Sequence, residues 1–337
     1  MEGWAFNLEK VEGSGEDAEP TLVMEPPRGW VGVYDGMGGS GAERASPEEG
    51  GETGARVAAV AARAAVEYAV RAADDPIDEA FARELGHTLF VALKDLDESR
   101  PGAGKIKGRL IRRFPLAFAS AAFSAANDAA FYRVFWAGDA RAYAWTPKFG
   151  LQQLTADDLV RPADAFDQLY GDSPLANCLS AGGFALRTAA AAVPAPAVFL
   201  AATDGCFHYL PSPFHFEYLL AETLLAADAA DEWKTFVIKK IEKTTGDDAS
   251  MALCAVGFED FASMRAAFAD RCALLWNDWV KPYADAVKRA GPKNEVGIYE
   301  AGPMQSGAEL WKRYKPGYSA LVPVAESPPV LRSFDFR

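Results

Sequence analysis

The sequence contains few of the residues that build zinc sites and disulfide scaffolds. Only four cysteines and three histidines occur in 337 residues. The cysteines are Cys178, Cys206, Cys254 and Cys272. They are widely spaced and form no Cys-x-x-Cys pair, which argues against both kinds of site, so we expect reduced thiols in the core. The histidines are isolated from one another, which favours structural or surface roles for them.

Long apolar runs and an excess of positive charge are also missing. No apolar stretch reaches the length of a membrane span, and the N-terminus lacks a basic segment followed by an apolar core. We therefore expect a cytoplasmic protein without a membrane partner. The formal net charge of −13 would repel phosphate backbones over most of the surface, which argues against nucleic acid as a partner. The basic run Lys105–Arg113 is expected to be a solvated loop or helix face without a ligand.

Several signatures of phosphate chemistry are absent from the sequence. It has no Cys-x5-Arg loop, no Gly-Lys-Ser/Thr phosphate loop, and neither the His-Arg-Asp nor the Asp-Phe-Gly motif of kinases. Nothing in the sequence therefore indicates a cysteine nucleophile or a nucleotide-dependent phosphotransferase.

The chain does contain alternating helical and strand-like segments. Residues 51–73 predict an alanine-rich amphipathic helix, and residues 77–97 predict a second helix. The apolar face of the first helix is expected to carry Val57, Val60, Ala61, Ala64, Ala65 and Tyr68. Short β-like runs dominate from Leu116 onward, interrupted by a less periodic stretch at residues 157–189 that is typical of a flap.

The last part of the chain is helical again and differs in texture from the strand-rich part. We expect two units, residues 1–257 and a helical extension with a tail at residues 258–337. Leu274, Leu275, Trp279 and Tyr283 are predicted to form one apolar helical face. Buried aromatic residues more often serve packing than partner binding, so the extension is predicted to pack on the first unit.

Acidic residues follow or precede several of the apolar strands. The stretches "GVYDG", "FWAGD" and "LAATDG" end in Asp35, Asp139 and Asp204 with an adjacent glycine, and Asp247 and Asp248 come just before "MALCAV". A single Asp-Gly is the usual chemistry of a tight turn, and that interpretation stays open for Asp139. Repeated acidic strand ends instead favour a carboxylate cluster held by a hard cation, Mg²⁺ or Mn²⁺.

The glycines next to Asp35 suit such a site. Because Gly36, Gly38 and Gly39 lack a Cβ atom, the main chain there can approach an ion closely. A main-chain carbonyl could then serve as a ligand.

The ordered set "VYDGMGG", "GETGA", "AGDARAY", "LTADD", "ATDG" and "GDDAS" resembles the metal-dependent serine/threonine protein phosphatases of the 2C type (PPM), in particular bacterial members. The resemblance runs from about residue 13 to residue 258. It implies an α+β fold, a four-layer α-β-β-α sandwich with two central antiparallel β-sheets flanked by helices. It also implies a centre of two Mn²⁺ or Mg²⁺ ions, with a possible weaker third.

The resemblance assigns roles to individual residues. Asp35 matches the aspartate that bridges both metals, and Gly36 matches the glycine whose carbonyl binds one of them. Asp204 and Asp247 match the remaining ligands of the core site, so these three aspartates are the predicted catalytic set. Three further predicted metal residues are Glu16 and Asp17, which match an acidic pair that binds metal directly or through water, and Asp139, which matches a ligand of the third metal.

The implied activity is hydrolysis of phosphoserine or phosphothreonine in proteins, through a water or hydroxide that bridges the two metals. The expected partner is a phosphorylated protein, and the chain is expected to act as a monomer. Two alternatives remain at this stage. One is a metal-binding pseudophosphatase that serves as a regulatory binding module, and the other is a phosphatase for small phosphoesters.

Two positions depart from the resemblance. Met37 stands where some family members have a histidine that can protonate the leaving group. Glu12 stands where family members usually have an arginine that grips the substrate phosphate. If the glycines that follow Glu12 allow a different turn, Lys10 is the predicted substitute for that arginine; otherwise phosphate binding is weak, or the protein is no longer a protein phosphatase.

Overall fold

Ten strands form two five-stranded antiparallel sheets in the computed structural model, which describes residues 1–38, 53–99, 114–171, 173–290 and 302–323. Sheet A has the spatial order β1 (Glu2–Leu8), β10 (Ala249–Val256), β9 (Ala197–Ala202), β6 (Arg141–Thr146), β7 (Gly150–Gln153). Sheet B has the order β2 (Ala18–Glu25), β3 (Arg28–Gly36), β4 (Leu116–Ala126), β5 (Ala129–Ala137), β8 (Arg187–Pro194).

The two sheets pack face to face. Alternate side chains along a strand point to opposite faces of its sheet, so one strand can contribute to two cores. In β3, Val31 and Val33 point toward sheet A and belong to the core between the sheets. Trp30 and Tyr34 point the other way and belong to a second core beneath helices. Successive strand residues face opposite sides of a sheet, so the run "WVGVY" can be buried on both faces.

Helices cover the outer face of each sheet. The helices α1 (Gly54–Ala72) and α2 (Glu79–Ser99) lie on sheet B. Sheet A is covered by α3 (Pro213–Ala226) and α4 (Ala230–Glu242), followed by α5 (Phe261–Leu275). This arrangement confirms the predicted four-layer α+β sandwich.

The predicted packing face of α1 was wrong. Val60 and Tyr68 are 44% and 71% exposed. The buried face is built instead from small residues: Ala55, Ala58, Ala59, Ala62, Ala65, Val66, Ala69 and Val70. The physical reason is that alanines let the helix axis approach the sheet closely, whereas larger side chains on that face would push the helix away.

The helices at the C-terminal end of the described chain pack against the same core as the helices that cover sheet A. The helix α5 leads through one π-helical turn, Trp276–Val280, into α6 (Lys281–Ala290), and α7 (Gly302–Tyr318) completes the described part. Leu275 is buried and Tyr283 packs against the core of sheet A, but Leu274 is exposed. Neighbouring helix positions lie about 100° apart, so Leu274 and Leu275 cannot share the single face that we expected. The division of the chain at residue 257 remains a prediction.

Some expectations concern parts of the chain outside the described residues. These are the basic run at residues 105–113, Gly39 and the tail beyond residue 323. Within the described ranges, no helix is both long enough and apolar enough to cross a membrane. The four cysteines are free thiols; Cys272 is half-buried and the other three are buried.

Candidate metal centre

Strand register brings three of the predicted aspartates to one edge of sheet B. Asp35, near the end of β3, pairs with Ala117 near the start of β4. The last residue of β5 pairs with the same end of β4, and the first residue of β2 pairs with Tyr34. Asp17 and Asp139, each adjacent to one of these strand ends, therefore lie at the same edge as Asp35.

Sheet A brings the other predicted ligands to its own corresponding edge. Ala202, the last residue of β9, pairs with Met251 near the start of β10 and with Arg141 at the start of β6. Asp204 follows β9 and Asp247 precedes β10, so both lie at this edge. The connection from β5 in sheet B to β6 in sheet A carries Asp139 and joins the two edges.

Asp17 links the two sheets through its side chain. It is 2% exposed, and the Thr203 hydroxyl donates to its Oδ2 atom at 3.0 Å. The pKa of Asp17 is raised to about 8, chiefly by burial and also by the charges of Asp248 and Asp204, against the opposing effect of hydrogen bonds with Ser250 and Thr203. Asp17 therefore lies close to the acidic residues that follow β9 and precede β10.

Asp35 lies at the centre of the carboxylates. Its side chain retains some solvent exposure, yet burial raises its pKa well above the usual range. Four neighbouring carboxylates add to that increase: Asp17, Asp204, Asp139 and Asp247. A charge interaction with every one of them places Asp35 among the residues that the sequence predicted as ligands.

Asp139 belongs to the same cluster. Its pKa is raised to about 7, chiefly by burial and also by the charges of Asp204 and Asp157. Its backbone is fixed beside Asp158, because Asp158 Oδ2 accepts from the Gly138 amide at 3.2 Å and the Asp158 amide donates to the Gly138 carbonyl at 3.0 Å. A role toward a third metal and a role as a turn aspartate both remain predictions for Asp139.

Close contact between two main chains brings Asp204 next to Asp247 and Asp248. A Cβ atom on Gly205 would lie 1.8 Å from the Asp248 carbonyl oxygen, so only glycine permits this approach. The Asp247 side chain is exposed at the rim. The Asp248 carboxylate accepts hydrogen bonds from the Lys10 amide at 2.8 Å and the Glu16 amide at 2.6 Å.

Two residues that contribute to the site were missed by the sequence analysis, Thr203 and Ser250, and Asp248 was recognised as acidic but given no role. Asp248 fixes the segment that carries Glu16 and Asp17. The Thr203 hydroxyl also accepts from the Ser250 amide at 2.8 Å, which ties β9 to β10 beside Asp17. The second aspartate of "GDDAS" was a visible signal for Asp248, but no local pattern marks the threonine or the serine.

Glu16 lies against the turn that follows Asp35. A Cβ atom on Gly36 would lie 2.3 Å from the Glu16 carbonyl oxygen, and the Glu16 carboxylate lies against Gly38. Burial raises the pKa of Glu16, and a hydrogen bond with Thr53 lowers it. The predicted ligands Glu16 and Gly36 are therefore direct neighbours. The close approach of the Glu16 main chain requires a glycine at position 36, whether or not an ion binds there.

The donor chemistry at this edge fits a hard divalent cation. All the candidate side chains are carboxylates, and their mutual repulsion is what a cation would offset. Within the described residues, however, no three His, Cys, Asp or Glu side chains converge closely enough to hold an ion as they stand. The carboxylates are gathered at one edge, and binding would require their side chains to close around the ion.

The structure also shows where Glu12, which stands in place of the usual arginine, and its predicted substitute Lys10 lie. Glu12 is exposed and borders a shallow groove together with Glu9 and Glu19. Lys10 reaches across to sheet A, where its Nζ atom donates to the Thr245 carbonyl at 2.6 Å. Lys10 therefore contacts the loop that carries Asp247, and its role as a substitute for the arginine remains a prediction.

Comparisons with solved structures find the same fold in bacterial phosphatases. The serine/threonine phosphatase PstP/Ppp of Mycobacterium tuberculosis is 17% identical, with a TM-score of 0.53 over 74% of this chain and 96% of that chain. Stp1 of Staphylococcus aureus, also a serine/threonine phosphatase, is 14% identical, with a TM-score of 0.52 over 76% and 95%. The catalytic domain of PstP in complex with two manganese ions is 15% identical, with a TM-score of 0.50 over 75% and 97%.

No protein-family model and no curated protein sequence matches the chain. The structural matches, which extend over nearly the whole length of the other chains, show that this chain has the fold of those phosphatases. The fold implied by the sequence resemblance is confirmed.

Proposed function

We propose that the protein is a metal-dependent phosphatase that hydrolyses phosphoserine or phosphothreonine in proteins. The observation that carries this proposal is the gathering of Asp17, Asp35, Asp139, Asp204 and Asp247 at one edge of the two sheets. The bacterial phosphatases with this fold support it. We further propose that the protein acts in the cytoplasm as a monomer.

The proposed ligands of two divalent cations are Asp35, the Gly36 carbonyl, Asp204 and Asp247, with Glu16 and Asp17 contributing directly or through water, and Asp139 serving a weaker third ion. The structure of PstP with two manganese ions supports Mn²⁺, and Mg²⁺ suits the same oxygen donors. When bound, such cations acidify water and offset the charge of the phosphoryl group. The chain itself supplies the carboxylates, which lie at or next to the ends of strands.

A cysteine nucleophile is not required by this proposal, and the nearest thiol does not suit one. Cys206 is buried two residues after Asp204 and lies within hydrogen-bond distance, 3.3 Å, of the Ser250 carbonyl. Burial raises its pKa well above the usual range, and the charges of Asp17 and Asp204 raise it further. A thiol in that environment stays protonated at neutral pH and is a poor nucleophile.

Lys10 is our proposed contact for the substrate phosphate on the sheet A side of the centre. Its ammonium group donates to the Thr245 carbonyl, two residues before Asp247. The opposite charge next to an acidic cluster would help to attract a phosphate dianion. Met37 offers no proton, so water has to protonate the leaving alcohol.

Purified protein, first treated with chelator, should hydrolyse p-nitrophenyl phosphate and a phosphothreonine peptide only after Mn²⁺ or Mg²⁺ is added. A parallel phosphotyrosine peptide and a small metabolite-like phosphomonoester define the substrate class. Turnover of the small esters alone would indicate that the substrate is a small phosphoester and not a phosphoprotein. Mn²⁺ binding without any turnover would identify a pseudophosphatase, and turnover in the presence of chelator would refute the metal-dependent mechanism.

A further inference from the structure

An arginine from α1 lies against the segment that carries the predicted acidic pair. Arg56 lies in the first turn of α1, directly after the Thr53 cap. Its Nη1 atom donates to Glu9 Oε1 at 2.8 Å and to the Gly15 carbonyl at 3.1 Å. Gly15 immediately precedes Glu16, so the guanidinium group is joined to the segment that carries the predicted acidic pair.

Among the described residues, the Arg56 guanidinium donates through a single nitrogen, Nη1. Nε and Nη2 donate to no atom of the described residues, although the side chain is only 25% exposed. A planar guanidinium group pairs best with two oxygens at once, whereas Glu9 accepts from only one of its nitrogens. A half-buried guanidinium with free donors is suited to a second oxyanion.

The main chain around Arg56 fixes it beside the proposed metal ligands. A Cβ atom on Gly36 would lie 3.0 Å from both the carbonyl carbon and the carbonyl oxygen of Ala55, the residue before Arg56. The same position would lie 2.3 Å from the Glu16 carbonyl oxygen. The start of α1, the end of β3 and the Glu9–Asp17 loop therefore meet at one point, next to Asp35.

Glu9 gives Arg56 a carboxylate partner that a phosphate could replace. Its Oε1 atom pairs with Arg56, while its Oε2 atom accepts from the Gly13 amide at 2.6 Å. Both side chains are 25% exposed, and such partly exposed pairs are weak enough to exchange. When the fork turns to a dianion, Glu9 keeps its amide partner.

We infer that Arg56 binds the phosphate group of the substrate, and that it replaces the arginine absent at position 12. This inference rests on the proposed function. Glu9 then acts as the counterion that holds the fork in the absence of substrate. The basic group comes from a helix that packs on sheet B, whereas Lys10 approaches from the sheet A side.

Four variants separate this role from that of a structural ion pair. They are Arg56→Ala, Arg56→Lys, Glu9→Gln and, as the matched control, Arg63→Ala. Arg63 lies two turns further along the same face of α1 and forms an equivalent pair with Glu67 at 2.9 Å. For each variant we would measure KM and kcat for p-nitrophenyl phosphate, the inhibition constant of inorganic phosphate, and Mn²⁺ affinity.

Arg56→Ala should raise both KM and the inhibition constant of inorganic phosphate about tenfold or more, with a smaller effect on kcat and none on Mn²⁺ affinity. Arg56→Lys should recover part of the loss, because it restores the charge but not the fork. Glu9→Gln should not raise KM, because it frees the guanidinium group. Arg63→Ala should behave as the wild type.

Equal increases of KM in Arg56→Ala and Glu9→Gln would show that the pair only braces the loop, and would overturn the inference. An unchanged KM in Arg56→Ala would do the same while leaving the proposed function intact. If the wild type shows no turnover, the proposed function fails separately. Calorimetric binding of inorganic phosphate to the Mn²⁺-loaded protein then tests Arg56, with weaker binding in Arg56→Ala supporting the inference and equal binding refuting it.

Discussion

The acidic residues at the sheet edge are held by donors from neighbouring segments of chain. Asp17 is held by the Thr203 hydroxyl, and Asp248 is held by the amides of Lys10 and Glu16. Asp35 has no comparable role in bracing the loops, and four carboxylates raise its pKa in addition to burial. The charge of Asp35 is therefore costly to the metal-free protein and would favour a bound cation.

Substitution of Asp35 or Asp204 by asparagine should abolish metal-dependent turnover. Each change removes an anionic ligand while leaving the size of the side chain almost unchanged. The metal-free melting temperature of Asp35→Asn should not fall, because one repelling charge is lost. Turnover at limiting Mn²⁺ and thermal melting in chelator are the measurements.

Asp231→Asn is the matched control, because that side chain is 96% exposed at the start of α4. It should retain full turnover. Near-wild-type activity of Asp35→Asn or Asp204→Asn at limiting Mn²⁺ would show that the catalytic centre has been misplaced.

Lys10→Ala should raise KM for a phosphoester more than it lowers kcat. The variant removes one charge-assisted contact, so we expect a transition-state loss on the order of 1–2 kcal/mol. Steady-state kinetics at saturating Mn²⁺ give both constants. A fall in kcat with constant KM would instead indicate that Lys10 stabilises the Asp247 loop through its hydrogen bond to Thr245 and does not contact the phosphate.

Among the elements, the strands could be predicted better than their pairing. The runs at residues 116–126 and 197–203 were recognised from alternation and apolar character, and they correspond to β4 and β9. The strand β1 was not predicted, because it depends on pairing with β10 at the far end of the chain, where Trp4 lies opposite Leu253. Local sequence carries no signal for such distant register.

The helix α1 shows a second limit of pattern reading. Its helical character was correctly predicted, but in an alanine-rich segment apolar residues lie on every side and leave the packed face undetermined. The face of α1 that packs on the sheet is the one with small side chains. The position of Arg56 beside Glu9 follows from that packing, which is why the sequence pattern could not indicate it.

A buried charge network joins the C-terminal helices to the sandwich. Glu217 in α3 is fully buried and accepts two hydrogen bonds from Arg271 in α5, both at 2.7 Å. Trp145 Nε1 donates to it at 2.9 Å, and the Tyr314 hydroxyl in α7 donates as well. Removal of the arginine would leave a buried carboxylate without its counterion.

Arg271→Ala should therefore lower the free energy of unfolding by about 3–5 kcal/mol, as for breaking a buried pair. Urea denaturation measures the loss. Arg265→Ala provides the contrast, because its partner Asp228 has an 88% exposed side chain, and the expected change is at most about 1 kcal/mol. Equal effects of the two substitutions would mean that the Glu217 network contributes no more than a surface pair.

For the whole molecule, the acidic edge links metal binding to pH. The pKa of Asp17 is raised to about 8 and that of Asp139 to about 7, both from an ordinary 3.8. Between pH 4 and 8 the folded metal-free protein retains protons that the unfolded chain has lost, so its stability falls as pH rises through this range. A divalent cation bound at this edge would displace those protons, so its affinity is expected to rise over the same range.

The difference in melting temperature between Mn²⁺ and chelator should therefore widen from about pH 5 to about pH 8 and then level off. Differential scanning fluorimetry over this range measures it. Asp17→Asn should flatten the dependence, because that site no longer titrates. A difference that is constant with pH would show that the cation binds elsewhere.

The overall architecture could be anticipated through the resemblance to a known family, whereas strands followed by helices would not alone have singled it out. The strand-end aspartates and their glycines could be recognised along the chain, but their roles as ligands remain predictions. The closure of the site could not be anticipated. It depends on contacts between segments far apart in sequence, such as Gly205 against Asp248 and Thr203 against Asp17. These contacts exist only after both sheets have formed.

We propose that the joined edges of the two sheets form a two-metal hydrolytic centre. Crystals soaked in Mn²⁺, at a concentration that supports turnover in solution, test it directly through anomalous difference density at the manganese edge. Two strong peaks should lie on either side of the Asp35 carboxylate, one or both within ligand distance of Asp204 and Asp247, with any third and weaker peak beside Asp139. Absence of density at this edge, or manganese bound only elsewhere on the molecule, would contradict the account.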